Sequence, residues 1–390
     1  MRQEQEVLKL IHAAYIHIPF CHHICHYCDF NKVFMNRQPV EEYLASLETE
    51  MKITLQEYKS NKLQSIFVGG GTPTALNEKQ LEFLVTAIQS NLPYDQTTEY
   101  TFEANPGDLS IEKLKILKDA GVNRLSFGVQ SFNDDLLKAI GRSHRAADVY
   151  QSIESAQAIG FKNISIDLIY SLPGQTVEDF KATIKTALGF GLVHYSGYSL
   201  IIEPKTVFYN LMNRGKLRLP GEEAEAEMYE VLMEQMELHG LKQYEISNFA
   251  LPGYESRHNL TYWENEEYFG FGAGAHSYVG GRRRSNFGPL KKYMEPIKNG
   301  KLPVLDDHEV TLPEKMEEEM FLGLRKTDGV GIRHFTDKFG YNPSELFRKE
   351  LSDLTARKLI EIHNGRIMLT KNGRLLGNEV FQSFLGVSNH

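Results

Sequence analysis

Three cysteines close together constrain this chain more than any other sequence feature. Cys21, Cys25 and Cys28 lie in the stretch YIHIPFCHHICHYCDFN with the spacing C-x3-C-x2-C, and the 390 residues contain no other cysteine. Three thiols cannot form an even set of disulfides. A tetrahedral zinc site would need a fourth ligand, which a histidine of the same stretch could supply. The other interpretation is a four-iron cluster on three cysteines, with one iron left open to a small molecule.

The composition is that of a globular protein with an acidic balance. Hydrophobic residues make up 41%, charged residues 24%, and the formal net charge is −8, which argues against a general binder of nucleic-acid backbones. No run of about 18 apolar residues predicts a membrane span. The N-terminal stretch carries acids and lacks a sustained apolar core, so we expect no signal peptide. A cluster on free thiols needs a reducing compartment, which predicts the cytoplasm.

Strand and helix patterns alternate through residues 1–205. The predicted strands are Ala14–Phe20, Gln64–Val68, Tyr100–Ala104, Arg124–Gln130, Asn163–Tyr170 and His194–Leu200. Such alternation predicts parallel strands joined by right-handed crossovers. Six units indicate an α/β fold of the incomplete (β/α)6 barrel type, and a doubly wound open sheet stays as the alternative. In either fold the functional side chains belong at the carboxyl ends of the strands.

The pattern changes after residue 205, which predicts two further domains. Residues 206–300 combine an acidic helix pattern with short strand patterns. A polar aromatic loop is predicted between the strand patterns. Residues 301–390 show three helix patterns and a hairpin with an Asn364-Gly365 turn, which resembles a small winged-helix-like α+β domain. Such a tail could read DNA. Its acidic run Glu317–Glu319 favours a covering or partner-contact role instead.

A glycine-rich tract, GGGTPT at Gly69–Thr74, directly follows the second predicted strand. Glycines let a backbone approach a ligand closely, and exposed amides can bind an anion. The tract lacks both the lysine of a phosphate-binding P-loop and the spacing of a dinucleotide fingerprint. Taken alone, it is typical of a tight turn.

The cysteine motif, with Tyr27 just before its third cysteine, resembles that of the radical S-adenosylmethionine superfamily. This resemblance implies a [4Fe-4S] cluster on Cys21, Cys25 and Cys28. The open iron would then bind the amino and carboxyl groups of the cofactor's methionine and reduce its sulfonium. The tract GGGTPT resembles the superfamily's glycine motif, which holds the methionine amino group.

Further tracts narrow the resemblance over nearly the whole chain. YIHIPFC, GGGTPT, FEANPG, RLSFGVQSF, GRSH and DLIYSLPGQT together resemble the coproporphyrinogen-dehydrogenase-like branch, which includes the HemW-type haem chaperones. The resemblance implies that the S-adenosylmethionine site is lined by Tyr15, Tyr27, Gly70, Gly71, Thr72, Glu103, Gln130, Arg142 and Asp167. An arginine can pair with the methionine carboxylate, and acids can accept from ribose hydroxyls or the amino group. Taken singly, Glu103 and Asp167 could be capping or ion-paired acids, and Arg142 a surface charge.

The tract HNLTYW at His258–Trp263 contains the only tryptophan. Histidine is a common axial ligand of haem iron, and aromatic neighbours suit the face of a macrocycle. From the residues alone, a satisfied loop histidine beside a packed tryptophan is the simpler interpretation. The pattern H-N-x-x-Y-W resembles the haem-binding signature of HemW-type chaperones, which implies that His258 binds haem. The nearby Arg282–Arg284 could pair with haem propionates, although a solvated turn is the favoured prediction.

Two departures separate the chain from the oxidative decarboxylases of this branch. Those enzymes have a fourth cysteine two positions after the third, where this chain has Phe30, and a long segment before the cluster, where this chain has 20 residues. The resemblance therefore implies a haem chaperone that delivers haem to an acceptor protein, for which a membrane-associated haem enzyme is one candidate.

The same resemblance implies cluster-dependent dimerisation, and it adds a peripheral membrane location to the cytoplasmic one. Two alternatives stay open. One is oxygen-independent coproporphyrinogen III oxidation, in which a deoxyadenosyl radical abstracts hydrogen from a propionate side chain. The other is a radical enzyme that modifies nucleic acid, which the net acidity of the chain disfavours.

Overall fold

The computed structural model describes residues 11–60 and 62–387. The strands are β1 (Ala13–Ile18), β2 (Phe20–Cys21), β3 (Val33–Phe34), β4 (Ser65–Gly70), β5 (Glu99–Ala104), β6 (Arg124–Gln130), β7 (Asn163–Tyr170), β8 (His194–Ser199), β9 (Lys242–Gln243), β10 (Asn248–Ala250), β11 (Tyr268–Phe271), β12 (His276–Val279), β13 (Arg282–Asn286), β14 (Val304–Glu309), β15 (Val330–Gly331), β16 (Ile360–His363) and β17 (Arg366–Leu369).

The helices are α1 (Val40–Glu57), α2 (Glu78–Asn91), α3 (Ile111–Asp119), α4 (Asp134–Ala139), α5 (Ala146–Ala158), α6 (Val177–Leu188), α7 (Val207–Asn213), α8 (Glu222–Leu238), α9 (Arg257–Trp263), α10 (Leu290–Lys298), α11 (Leu312–Gly323), α12 (Ile332–Phe339), α13 (Pro343–Leu346), α14 (Arg348–Ala356), α15 (Lys371–Leu375) and α16 (Gly377–Gln382). A short 3-10 turn lies at Pro73–Ala75. In the described part of the chain, no helix is both long and apolar enough to cross a membrane.

Six parallel strands form the centre of the largest sheet. They stand in chain order β1-β4-β5-β6-β7-β8, and helices connect them. A doubly wound sheet reverses its strand order beside the first strand. Here the six follow one another without reversal, and β8 pairs with the antiparallel β10 instead of closing on β1. The prediction of an incomplete (β/α)6 barrel is confirmed, and the doubly wound alternative is wrong.

The two faces of the barrel strands differ in polarity. Alternate residues of a strand point to opposite faces. On β6, Leu125 and Phe127 belong to the main apolar core, whereas Ser126 and Gly128 line a cavity inside the barrel. The helices therefore pack on an apolar outer face, and the inner face is polar. Because barrel interiors are usually filled by branched apolar side chains, this polarity suits a binding site.

An antiparallel extension continues the sheet on the other side of β1. Strand β11 pairs with β1 in parallel, and β12, β13 and β14 follow in antiparallel order. The expected solvated turn at Arg282–Arg284 is wrong, because these residues form most of β13. They pair with acids: Arg282 Nε lies 2.7 Å from Asp307 Oδ1, and Arg283 Nη2 lies 2.9 Å from Glu318 Oε2. The domain division at residues 205 and 300 stays a prediction.

The segment HNLTYW is a helix, and the expected loop is therefore wrong. Helix α9 begins where the Ser256 hydroxyl accepts the Asn259 N–H at 3.3 Å. The Glu99 carboxylate, on the first residue of β5, accepts the N–H groups of Arg257 and His258 at 3.1 and 3.2 Å. These bonds satisfy N–H groups of the first turn, which have no partner within the helix. This capping explains why the chain forms a helix here.

The C-terminal region has its own apolar core and a three-stranded sheet of order β15-β17-β16. The predicted hairpin is present as β16 and β17, and Asn364 and Gly365 both have positive φ, as a tight hairpin turn of this kind requires. One of the three helix patterns predicted for this region forms two helices, α13 and α14, which are separated at Phe347. The predicted combination of a barrel with a small α+β tail is confirmed.

Candidate functional site

A cavity of about 390 Å³ opens at the carboxyl ends of the barrel strands, and the three cysteines lie on its wall. Eleven of the thirteen predicted site residues line it: Cys21, Cys25, Tyr27, Cys28, Gly70, Gly71, Thr72, Glu103, Gln130, Arg142 and Asp167. The two that do not are Tyr15 and His258. The barrel topology thus brings most of the predicted set to one place.

Main-chain bonds hold the cysteine loop over the cavity. The predicted first strand breaks at Pro19, which has no N–H to donate to a ladder, and resumes as β2. The Cys21 carbonyl accepts the Met35 N–H at 2.9 Å, and the His26 N–H donates to the Ile140 carbonyl at 3.0 Å. These bonds therefore anchor the loop to neighbouring main chain at Cys21 and at His26.

The thiols lie in an environment that suits a metal centre. Cys21 is buried, and Cys25 and Cys28 are partly exposed. Burial raises the pKa of Cys21, and it raises the pKa of Cys28 to about 11. Two donors point at sulfur: Thr72 Oγ1 lies 3.5 Å from Cys21 Sγ, and Arg142 Nη1 lies 3.4 Å from Cys25 Sγ. Since thiolates are costly here on their own, a bound metal cluster would stabilise them.

The glycine tract packs directly against the cysteine loop. The Gly71 and Thr72 N–H groups donate to the carbonyls of Ile18 and Phe20, both at 2.8 Å. A Cβ on Gly71 would lie 2.7 Å from the Ile18 carbonyl oxygen. The tract is therefore glycine-rich because two main-chain segments meet there, and this contact sets the cavity wall.

Gly70 and an acid on the next strand form the cavity floor. Gly70 has φ +108, and its N–H donates to Glu103 Oε2 at 3.0 Å. Burial raises the pKa of Glu103 to about 7, and the Gly70 bond opposes that rise. Burial also raises the pKa of Asp167, which accepts from Ser126 Oγ at 3.3 Å. Among the described residues neither acid caps a helix or forms an ion pair, so both face the cavity with open acceptors.

Gln130 carries an unsatisfied acceptor on the same wall. Its Oε1 is buried and has no hydrogen-bond partner within the described chain. Its φ is +65, the left-handed region that non-glycine residues adopt rarely. Buried polar atoms normally have partners, and strained backbone gathers at ligand sites. A donor on a bound ligand would satisfy this oxygen.

Arg142 is a half-buried member of a network, not a surface charge. Its Nη2 donates to Asn105 Oδ1 at 2.7 Å and to the Gly128 carbonyl, and its Nη1 reaches Cys25. Asn105 Nδ2 in turn donates to Thr72 Oγ1 at 3.0 Å. Asn105 thus connects Arg142 and Thr72, the donors to Cys25 and Cys21. We did not predict Asn105 as a site residue, although the tract FEANPG contains it.

Tyr15 lies below the cavity, inside the barrel. Its Oη lies 2.9 Å from His17 Nδ1, and its ring stacks on Phe67 with centroids 6.2 Å apart. Phe67 stacks in turn on His258, with centroids 5.1 Å apart. The two predicted residues that miss the cavity therefore belong to one aromatic cluster, in the part of the barrel below it.

His258 is buried with both ring nitrogens occupied. Nδ1 lies 3.0 Å from Ser65 Oγ, and Nε2 lies 2.8 Å from Tyr262 Oη. The side chain is 2% exposed, and burial lowers its pKa to about 3. The ring is neutral and satisfied, so iron ligation through Nε2 requires Tyr262 to release it.

A second histidine has nearly the same surroundings. His194, on the first position of β8, has Nδ1 at 2.7 Å from Ser165 Oγ and Nε2 at 2.9 Å from Tyr244 Oη. It is also fully buried, and burial lowers its pKa. The serine–histidine–tyrosine arrangement is thus not special to His258, and His194 is its matched control.

The tryptophan of the same helix packs against the C-terminal region. The Arg325 guanidinium lies 4.4 Å from the Trp263 ring centroid and 5.2 Å from that of Phe381. Such cation–π contacts stabilise the packing of α9. In this conformation Trp263 faces Arg325 and leaves no open aromatic face for a macrocycle on that side.

Comparison with known proteins agrees with this geometry. The Radical SAM superfamily model matches residues 15–187, and the HemN C-terminal domain model matches residues 310–376. The heme chaperone HemW of Bacillus subtilis (strain 168) is 58% identical over 375 residues, which cover 96% of this chain and 99% of that protein. HemW of Lactococcus lactis is 47% identical over 97% of this chain and 98% of its own length. The chain belongs to the HemW family.

The structural comparison supports the fold. The solved coproporphyrinogen III oxidase HemN from Escherichia coli, a radical SAM enzyme, superposes with a TM-score of 0.84 over 96% of this chain and 90% of its own length, at 23% identity. As radical SAM proteins, HemW-family members use a [4Fe-4S] cluster and S-adenosylmethionine. The cluster interpretation of the three cysteines is therefore preferred to the zinc interpretation.

Proposed function

We propose that this protein is a haem chaperone, which binds haem and passes it to an acceptor protein. The observation that carries the proposal is the 58% identity to the heme chaperone HemW of Bacillus subtilis over 96% of the chain. We propose that it acts in the cytoplasm, because three free cysteines need a reducing compartment to hold a cluster.

The cavity residues are proposed to hold the cluster and the cofactor. Cys21, Cys25 and Cys28 would bind three irons, and the cluster would supply the electron that cleaves the cofactor's sulfonium. Glu103 and Asp167 offer carboxylates to the methionine amino group and the ribose hydroxyls. Ionised acceptors of this kind make the strongest hydrogen bonds to such donors.

Arg142 and Gln130 supply the remaining polar contacts in this proposal. Four of the five guanidinium N–H bonds of Arg142 point at His144, Cys25, Asn105 and Gly128. One N–H on Nη1 is left for a carboxylate. Gln130 Oε1 has no partner among the described residues, so it accepts from a cofactor donor in the same cavity.

His258 is the proposed haem ligand. The support is its place in the HNLTYW tract, together with the neutral state that iron ligation requires of imidazole. Ligation needs Nε2 to leave Tyr262 Oη, and because both residues lie on α9, this requires the Tyr262 side chain to rotate away from His258. Tyr15 packs in the same aromatic cluster, and its predicted contact with S-adenosylmethionine stays a prediction.

The test is a haem titration of the anaerobically reconstituted protein, followed at the Soret band, for wild type, His258→Ala and His194→Ala. Wild type should bind stoichiometrically, His258→Ala weakly, and His194→Ala like wild type. Since both histidines are buried between a serine and a tyrosine, general destabilisation affects the two variants alike. Equal binding by His258→Ala and wild type would overturn the ligand assignment, and no saturable binding by wild type would overturn the chaperone proposal.

The oxidase alternative rests on the likeness to HemN, which supports the fold alone at 23% identity. An anaerobic assay with coproporphyrinogen III separates it from the chaperone. We expect no protoporphyrinogen above a cluster-free control, and product formation would favour the oxidase.

We further propose a membrane-associated acceptor, a peripheral membrane location and a homodimer that forms with the cluster. The support is the family resemblance. Sizing chromatography with and without the cluster tests the dimer: a mass that does not change would contradict it.

A further inference from the structure

Arg124 is a buried arginine in the barrel interior with no side-chain partner in the described chain. It is 2% exposed, its Nε is buried without an acceptor, and no hydrogen bond or ion pair of the described residues includes its guanidinium. Arginines are almost never fully buried unless they are paired. Burial of an unpaired charge lowers the stability of the fold, so we expect the charge of Arg124 to have a function.

The strand pattern puts Arg124 under the cavity floor. It is the first residue of β6, and it shares the inner face with Ser126 and Gly128, which line the cavity. Ser126 is the register partner of Glu103, and its hydroxyl donates to Asp167 at 3.3 Å. Ser126 therefore lies between the two acids. Arg124 is two residues earlier on the same face of β6, roughly 6–7 Å farther from the cavity along the strand.

The electrostatic effect of Arg124 on the two acids opposes that of burial. Its charge lowers the pKa of both Glu103 and Asp167, whereas burial raises both. The two carboxyls also repel one another, because the charge of Asp167 raises the pKa of Glu103. Two desolvated acids that repel one another do not both ionise readily without a nearby cation.

Other charged groups do not replace this cation. The titratable and charged side chains around the interior are Tyr15 and His17 on β1, Glu99 and Glu103 on β5, Arg124 on β6, Arg142 after α4, Asp167 on β7, His194 and Tyr198 on β8, Tyr244 and Glu245 before β10, and His258 and Tyr262 on α9. Burial lowers the pKa of the three histidines, so they are neutral. Of the two arginines, Arg142 also lowers the pKa of Asp167 but is engaged with Cys25 and Asn105, whereas the charge of Arg124 lowers the pKa of both acids.

We propose that Arg124 is a positioning residue of the S-adenosylmethionine site, which keeps Glu103 and Asp167 charged from beneath the cavity floor. The cavity then presents carboxylates to a cofactor that carries a sulfonium and an ammonium group. Arg124 itself touches no cofactor atom. The inference rests on the proposed placement of the cofactor in this cavity.

The test is calorimetric titration of S-adenosylmethionine into the anaerobically reconstituted protein, across a pH series, for wild type and Arg124→Gln. The variant should bind about tenfold more weakly near neutral pH, the change that one pKa unit produces. Its loss of affinity on acidification should begin at a higher pH, because both acids then protonate more easily. Arg374→Gln is the control, since Arg374 also has an unpartnered buried Nε but lies far along the chain, on α15.

A double-mutant background separates this role from a general packing effect. In a Glu103→Gln/Asp167→Asn protein, the Arg124→Gln change should have no further effect on the pH profile of binding. An equal effect in both backgrounds would overturn the inference, and so would an unchanged profile in a folded Arg124→Gln protein.

Arg124→Lys keeps the inference testable if the glutamine variant does not fold. A buried lysine has a lowered pKa. This variant should therefore bind like wild type near neutral pH and lose affinity at alkaline pH, where wild type does not. An alkaline profile identical to that of wild type would contradict the proposed role. Failure of wild type itself to bind S-adenosylmethionine would instead overturn the cofactor assignment, while the haem titration tests the chaperone proposal separately.

Discussion

The cavity and the aromatic cluster of Tyr15, Phe67 and His258 differ in whether their polar atoms have hydrogen-bond partners. At the cavity, Gln130 Oε1 has no partner in the described chain, and Glu103 and Asp167 have no ion pair there. At the cluster, both nitrogens of His258 are bonded and the ring is 2% exposed. The cavity therefore has polar acceptors available to a ligand, whereas the proposed haem ligand His258 is covered and must first lose its bond to Tyr262.

The difference follows from what closes each end of the barrel. The carboxyl end is built from glycines and a pinned loop, which leave space between the strands. Helix α9 covers Ser65, at the amino end of its strand. It is anchored at its start by the Glu99 carboxylate and near its end by Trp263 on Arg325. Main-chain contacts bound the cavity, and side-chain contacts hold α9 over His258.

The largest expected effect is the loss of the cluster in Cys25→Ser. Cys25 is one of three proposed iron ligands, and no other cysteine in the sequence can replace it. Iron and sulfide content after anaerobic reconstitution, with visible absorption, measures the effect. His26→Ala, which changes the adjacent residue, should keep its cluster. A Cys25→Ser protein with the iron and sulfide content of wild type would contradict the assignment of the cluster to these cysteines.

Gly70→Ala should destabilise the protein by roughly 1–3 kcal/mol and weaken S-adenosylmethionine binding. An alanine Cβ would lie 2.3 Å from the His17 ring, and φ is +108. Gly160→Ala is the matched control, because its φ is +95 but nothing lies within 4 Å of the added carbon. Urea denaturation compares the two. Equal losses of unfolding free energy would show that the contact with His17 does not matter.

The affinity for S-adenosylmethionine should fall as the pH decreases from about 8 to about 6. The Glu103 carboxyl has a pKa of about 7, so it is ionised above that pH and accepts the cofactor's ammonium donors. Below that pH it is protonated and neutral, and the attraction is lost. Glu103→Gln should bind weakly at every pH of the series. An affinity that stays constant in wild type would contradict the place given to Glu103.

Tyr262→Phe should tighten haem binding, by roughly two- to tenfold, because one hydrogen bond no longer competes for His258 Nε2. A Soret titration measures this smallest effect. Tyr244→Phe, which removes the hydroxyl that bonds His194 and also accepts the Ser256 N–H, should not tighten haem binding. Weaker haem binding by Tyr262→Phe would mean that the tyrosine supports the haem site instead of blocking it.

Local sequence patterns and family motifs predicted the barrel and the cavity well. The alternation of strands and helices is a short-range property, and the cavity residues stand in motifs at strand ends. The misses depend on partners distant in the sequence. Helix α9 is capped by Glu99, 158 and 159 positions before the N–H groups it accepts, and Arg283 pairs with Glu318, 35 positions later. The burial of His258 against Ser65 has no local signal either.

The most direct test of two separate sites is a pair of titrations on two variants. One variant replaces Cys21, Cys25 and Cys28 with serine, and the other is His258→Ala; each is titrated with haem and assayed for its cluster. Two sites predict that the cysteine variant lacks the cluster but binds haem, and that His258→Ala keeps the cluster but loses haem affinity. Haem binding that disappears with the cysteines and persists without His258 would place haem at the cavity and contradict the account.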